Sequence, residues 1–207
     1  MDVEAWVAAA KNPTAEWLES CFGAGSLWRP REAELPELLQ HEATRKFLTT
    51  VGFPAVRIDW LLECIDFDSS GIKEADGPWA EDPDELFGRR TPDDDSPLTK
   101  YAFGFGECSG CSLMLDGVTG DIVLYDPNGW DHAAGYAGQA HSSLPILAGA
   151  LGLATKFREP FEGPKPLEVL GVFRQAIEAL DPGVESALWE KVLETLEEEY
   201  ELAAETE

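Results

Sequence analysis

The sequence predicts an α+β fold: a central antiparallel sheet of about four to six strands, flanked by helices at both chain ends. Three observations carry this. Apolar residues recur at helical spacing over roughly the first fifty residues and again from about residue 143 onward. Between them, the segments around 101–126 alternate apolar residues on two faces, as strands do. A glycine-bracketed turn, GVTG, separates two of these segments, which is a hairpin signal. The whole of 1–207 is read as one domain, with an acidic, proline-rich excursion at 68–97 and an acidic terminal helix at 184–203.

The elements follow in order. DVEAWVAAAK places Val3, Trp6, Val7 and Ala10 on one helical stripe, with Asp2 as cap. TAEWLESCFG repeats the pattern, with Thr14 as cap, Trp17, Leu18, Cys21 and Phe22 as stripe, and Gly23 as stop. HEATRKFLTTVGFP is a third helix with Phe47, Leu48 and Val51 inward. Gly52 supplies its left-handed exit and Pro54 bars continuation. DWLLECIDF, short and apolar between acidic residues, reads as a strand.

KYAFGFGE is a second strand, with Tyr101, Phe103 and Phe105 on one face. In SLMLD, Leu113 and Leu115 share a face. In DIVLYD, Ile122 and Leu124 share one face while Val123 and Tyr125 take the other, so the sheet is expected to be covered on both sides. NGWDHAAGYAGQA reads as a glycine-rich loop. HSSLPILAGALGL then starts a helix capped by Ser142 or Ser143, with Pro145 tolerated in its first turn. KPLEVLGVFRQAIEAL is expected to bury Leu167, Leu170, Val172, Phe173 and Ile177. GVESALWEKVLETLEEEYEL aligns Leu188, Trp189, Val192, Leu193, Leu196 and Tyr200, opposite an acidic face of Glu190, Glu194, Glu197, Glu198 and Glu201. Acid near a helix C-terminus opposes the macrodipole, so that end should fray unless a basic partner covers it.

Forty acidic residues against fifteen basic ones give a net charge of -25. Nucleic-acid binding needs basic surface to displace counterions, so that class is excluded. Two readings of the charge remain: a solvated acidic surface, or a basic protein partner steered by opposite potential. The start, MDVEAWVAAAKNP, has no basic leader region. The longest apolar run, Leu144–Ala154, is short of the roughly 20 residues a membrane span needs. A cytoplasmic protein with no membrane partner is the expectation, with its four cysteines largely reduced.

Cys108-x2-Cys111 has the spacing of half a zinc site. The nearest further ligands, His132 and His141, stand too far apart for the usual short histidine pair. A thioredoxin-type pair is expected where a strand leads into a helix, and Cys111 leads into a strand. A reduced structural pair is expected, with metal or redox chemistry as the alternative. Asp126, Asp131 and His132 fall in a loop, but neither a nucleophile elbow nor a phosphate-binding loop accompanies them. No catalytic residue, metal ligand or cofactor is assigned. The excursion is the candidate partner surface, through Trp79, Glu81, Asp82, Asp84, Glu85, Asp93, Asp94 and Asp95, joined by Trp130 and Asp131 of the glycine-rich loop. Aromatic anchors among acids suit an interface with a basic surface; the simpler reading is that Trp79 and Phe87 pin a long loop to the body.

Four segments in order carry a resemblance: ATRKFLTTVGFP (43–54), LMLDGVTGDIVLYD (113–126), AHSSLPILAGAL (140–151) and DPGVESALWEKVLETLEEEY (181–200). Together the chain resembles the SUKH superfamily, most closely its fourth group, the immunity proteins of bacterial toxin systems. His141 stands where that group usually has Asn, and Phe53 where it has Leu; residues 1–40 match less clearly. The resemblance implies an antiparallel sheet flanked by helices. It also implies a non-catalytic role, binding and neutralising a cognate toxin, often a nuclease or deaminase. An acidic protein can occlude a basic groove by imitating a phosphate backbone. The alternative is a regulatory or scaffold module for another cytoplasmic protein.

Overall fold

The computed structural model describes residues 2–54, 57–58, 65–66, 79–81, 102–108, 110–126 and 136–206. Two capped helices open it. In α1 (Val3–Lys11) the Asp2 carboxylate accepts from the Ala5 N–H, and in α2 (Ala15–Phe22) the Thr14 hydroxyl accepts from the Trp17 N–H. Each cap satisfies one of the donors that a helix N-terminus leaves over. A two-residue pairing of β1 (Leu27–Trp28) with β2 (Phe53–Pro54) brackets α3 (Glu42–Thr50). Gly52 exits α3 at φ 92°; a Cβ there would stand 2.9 Å from the Trp28 carbonyl oxygen, so the β1–β2 contact itself needs glycine.

The main sheet is antiparallel. Its centre is a meander of β6 (Ala102–Cys108), β7 (Cys111–Asp116), β8 (Ile122–Tyr125) and β9 (Tyr136–His141). Short strands β3 (Arg57–Ile58), β4 (Ile65–Asp66) and β5 (Trp79–Glu81) extend it beyond β6. β4 pairs with the end of β6 near Cys108, and β5 pairs with the same strand nearer its start. Of the strand expected over DWLLECIDF, Ile65–Asp66 is described and paired; its other residues lie outside the described set.

Alternation along β7 and β8 sorts the faces as the sequence implies; β6 shifts register between Gly104 and Gly106, and Tyr101 and the Phe105 side chain lie outside the described set. Phe103, Leu113, Leu115, Ile122 and Leu124 join the main core beneath the helices. Met114, Val123 and Tyr125 form a second buried cluster, with Tyr136 packed against it. Both faces are therefore covered. The segment YAGQAH is not loop: Tyr136–His141 is strand β9. Its Gly138 sits at φ 112°, and a Cβ there would fall 2.5 Å from that of Ala187. The glycine marks close approach of a helix to the strand rather than a turn.

Three helices complete the chain: α4 (Leu144–Phe161), α5 (Pro166–Leu180) and α6 (Ala187–Thr206). α4 is apolar on nearly every side because it is enclosed; Leu147, Ala148, Ala150, Leu151, Leu153, Ala154 and Phe157 have no exposure. Rings from four helices interlock around it. Trp6 meets Phe157 edge-on at 5.6 Å, Phe157 meets Phe173 at 5.0 Å, and Phe173 meets Trp189 edge-on at 5.5 Å. Such pairs contribute roughly 0.5–1.5 kcal/mol each beyond their buried area. α6 buries its expected stripe, Leu188, Trp189, Val192, Leu193 and Leu196, with Tyr200 half-buried. α5 corrects two expectations. Leu170, Phe173 and Ile177 are buried, joined by Ala176 and Leu180, but Leu167 and Val172 are exposed. Val172 lies two residues, some 200° of helical rotation, from Leu170. Leu167 sits in the first turn, ahead of the packed stripe.

Candidate partner-binding surface

The residues expected to meet a partner fall largely outside the described set. Asp82, Asp84, Glu85, Asp93, Asp94, Asp95, Trp130 and Asp131 all lie there. Trp79 and Glu81 are placed by backbone register alone: Trp79 pairs with Gly104, Ala80 with Phe103 and Glu81 with Ala102. Within the excursion, Trp79–Glu81 is thus a short strand paired with β6.

Cys108 and Cys111 face each other across the β6–β7 turn, which Gly110 takes at φ 77°. Both thiols are buried in the main core. The Lys191 ammonium donates to the Cys111 sulfur at 3.4 Å. Among the described residues, no three side chains of metal-binding type converge.

The Asp116–Asp121 turn joining β7 to β8 is a docking element of the fold. The buried Asp116 carboxylate accepts from the Val118 and Thr119 N–H groups at 2.7 and 2.8 Å. The Gly117 carbonyl accepts from the Gln40 and His41 N–H groups at 2.7 and 2.9 Å. His41 Nδ1 lies 2.8 Å from the Thr44 hydroxyl, and its ring lies directly over Gly120. The turn therefore fixes the entry of α3 onto the sheet.

A cleft of about 370 Å³ opens between α5 and α6 at their connecting turn. Its back wall is a hydrogen-bonded chain. The Trp189 indole N–H donates to His141 Nε2 at 2.8 Å, so that nitrogen carries no proton. The proton then sits on Nδ1, 3.2 Å from an Asp181 carboxylate oxygen. The same oxygen accepts from the Ser142 N–H at 2.8 Å, and its neighbour accepts from the Ser142 hydroxyl at 2.8 Å. Burial pushes the Asp181 carboxyl up, but the hydrogen bonds from His141 and Ser142 outweigh it and hold the group below its ordinary value. His141 has no exposure, and both of its ring nitrogens are engaged. The chain thus fastens the end of β9 and the start of α4 to the α5–α6 turn. In this arrangement the imidazole has no free nitrogen with which to take a substrate proton.

The floor of the cleft is Ile177, Trp189 and Leu193. Its rim carries Glu178 from α5, Glu185 from the turn and Glu190 from α6, all exposed. The lining cation, Arg174, is engaged by Glu197 at 2.8 Å. Glu190 was visible in the sequence as part of the acidic face of the last helix. Its meeting with Glu178 and Glu185 was not, because it depends on the crossing of two helices. The signal available was the DPG break at 181–183, which folds α6 back along α5.

No curated protein and no solved structure matches the chain. The family model described as SUKH-4 immunity protein matches residues 13–195. That span takes in α2, the sheet, the Asp116–Asp121 turn and the cleft, and leaves out only α1 and the end of α6. The chain therefore belongs to the SUKH-4 immunity protein family.

Proposed function

We propose that the protein is a non-catalytic immunity protein that binds a cognate toxin domain and neutralises it, and that this domain is basic and directed at nucleic acid. The carrying observation is family membership in a chain of net charge -25. A toxin that acts on nucleic acid presents a basic groove to phosphates, and an acidic protein docking there competes with them. The engaged state of His141 supports binding rather than chemistry at the α5–α6 cleft. The main core, which draws residues from Ala10 to Leu196, supports reading 1–207 as one SUKH-like domain. Among the described residues no helix is long and apolar enough to cross a membrane; on this reading the protein works in the cytoplasm, where a toxin acting on nucleic acid must be stopped. The excursion at 68–97, with Trp79, Glu81 and the Asp93–Asp95 triplet, remains the proposed contact, together with Trp130 and Asp131.

The test is co-expression with the open reading frame that neighbours its gene. Growth rescue is expected, with a complex that co-purifies and weakens as salt rises. Replacing Asp93, Asp94 and Asp95 by Asn should slow association. A rescue that needs no complex, or an on-rate indifferent to both salt and the triple replacement, would sink the electrostatic account.

A further inference from the structure

We propose that the α5–α6 cleft is a receptor for an arginine side chain of a basic protein partner; this rests on the immunity reading above and gives it a second contact surface. Three features combine there. The floor of Ile177, Trp189 and Leu193 is apolar and concave, and suits the methylene stem of a long side chain. Glu178, Glu185 and Glu190 come from three separate elements to one rim, and none has an ion pair among the described residues. The cation in the lining, Arg174, is paired with Glu197, and three rim carboxylates stand against its one charge.

The other polar lining groups are similarly committed. Asp181 is occupied by His141 and Ser142, and the Ser186 hydroxyl donates to the Ala140 carbonyl at 2.6 Å. What the cleft offers an incoming group is therefore an apolar trough ending in unneutralised carboxylates. That is complementary to a guanidinium on an alkyl stem. Arginine suits it better than lysine, because a planar, weakly hydrated fork can engage carboxylates two at a time and still lie on an apolar floor. Phosphate-bearing partners would be repelled. A volume of about 370 Å³ is at the small end of ligand sites, enough for one long side chain rather than a folded segment. The acidic face of α6 continues outward from this rim through Glu194, Glu198 and Glu201, so further basic residues of the same partner would meet like surface.

The probe is a dye-labelled Gly-Arg-Arg-Gly peptide, followed by fluorescence anisotropy and by the methyl resonances of Ile177 and Leu193. Saturable shifts of those methyls are expected, absent for the peptide with citrulline in place of arginine and weaker for the lysine version. The triple variant Glu178→Gln, Glu185→Gln, Glu190→Gln should bind about tenfold more weakly. All three positions are exposed, so the fold should survive, and a thermal melt checks it. The matched variant Glu37→Gln, Glu42→Gln, Glu159→Gln, with the same charge change at exposed sites away from the cleft and from the acidic face of α6, should lose less than about twofold. Equal weakening in both variants would mean overall charge only and overturns the proposal. So would shifts that map elsewhere, or free arginine saturating the cleft as tightly as the peptide. Growth rescue separates the two readings: a wild-type protein that rescues but whose cleft ignores the peptide refutes the receptor alone, whereas absence of rescue refutes the immunity role whatever the peptide does.

Discussion

Replacing Asp181 by Ala should lower stability far more than replacing it by Asn, and the difference follows from what each leaves behind. The Asp181 side chain is 13% exposed and accepts three hydrogen bonds: from the Ser142 N–H, the Ser142 hydroxyl and His141 Nδ1. Ser142 is exposed, and water can replace its lost acceptor. His141 has no exposure, and water cannot reach its Nδ1–H. A buried donor stranded in this way costs about 1–3 kcal/mol, and loss of a charged acceptor adds to it. Asp181→Ala should therefore cost about 3 kcal/mol, or about 6–12 °C in Tm for a chain of this size. Asp181→Asn keeps a carbonyl oxygen for His141 and should cost about 1 kcal/mol. Acid adds a second arm. The folded carboxyl titrates below its unfolded value of about 3.9, so the unfolded chain takes up the proton first. The stabilisation is complete above the unfolded value and is lost as pH falls through it toward the folded one. The Tm gap between wild type and Asp181→Ala should hold from neutrality to about pH 5 and narrow below about pH 4, without vanishing, since the protonated carboxyl still offers His141 a carbonyl oxygen. Differential scanning fluorimetry across pH reads both arms. Ala and Asn variants melting alike, or a gap that widens in acid, would refute the assignment of Asp181 as His141's anionic acceptor.

Gly120→Ala puts a methyl 2.1 Å from His41 Nδ1 at a residue with φ 84°, and should cost about 2 kcal/mol; in a His41→Ala background the steric part should vanish, which a double-mutant cycle in urea measures. Gly149→Ala would gain about 1 kcal/mol from helix propensity alone, but its Cβ would lie 1.9 Å from the Ala10 carbonyl oxygen, forcing α1 off α4. A Tm lowered by several degrees is expected, and a raised Tm would show that α1 does not pack there. Salt should act with opposite signs on stability and binding: raising it from low to about 0.5 M screens self-repulsion and raises the Tm of the free protein, while it weakens the toxin complex. A free protein destabilised by added sodium chloride would contradict the charge argument.

Elements set by local chemistry could be read from the sequence; those set by helix crossings could not. Asp2, Thr14 and Gly52 act within a few residues of themselves, and each occupies its expected place. The two-faced alternation of Leu113, Met114 and Leu115 and of Ile122, Val123 and Leu124 needed only a period of two. Gly138 misled because one residue type serves two ends: it loosens turns, and it also lets an element approach closely. Here Ala187 of α6 occupies the space a Cβ would take, and the distinction belongs to the partner element. Leu167 and Val172 failed for a related reason. Their apolar character is real, but which part of α5 is covered depends on where its neighbours lie. His141 stands directly before a helix start, a place that suits a structural role. Its acceptor Asp181 stands forty residues away and its donor Trp189 still farther, so neither bond has a local signature.

The placement of charge on α6 separates what folds the protein from what it is for. The helix runs twenty residues, with Glu190, Glu194, Glu198 and Glu201 exposed and no basic residue in its last turn. The macrodipole favours Glu190 in the first turn but disfavours Glu198 and Glu201 toward the C-terminus, and like charges four residues apart disfavour the pattern by a few tenths of a kcal/mol per pair. The inner stripe from Leu188 to Leu196, close to fully buried, holds the helix regardless, since burying one Leu or Val side chain contributes about 1.5–3 kcal/mol. The outer glutamates therefore lower the stability of the free protein without being needed for its fold, and the rim glutamates of the cleft extend the same surface. A charge pattern that opposes folding, is carried by a well-packed scaffold and surrounds an apolar cleft is coherent if its energetic return comes from a basic partner.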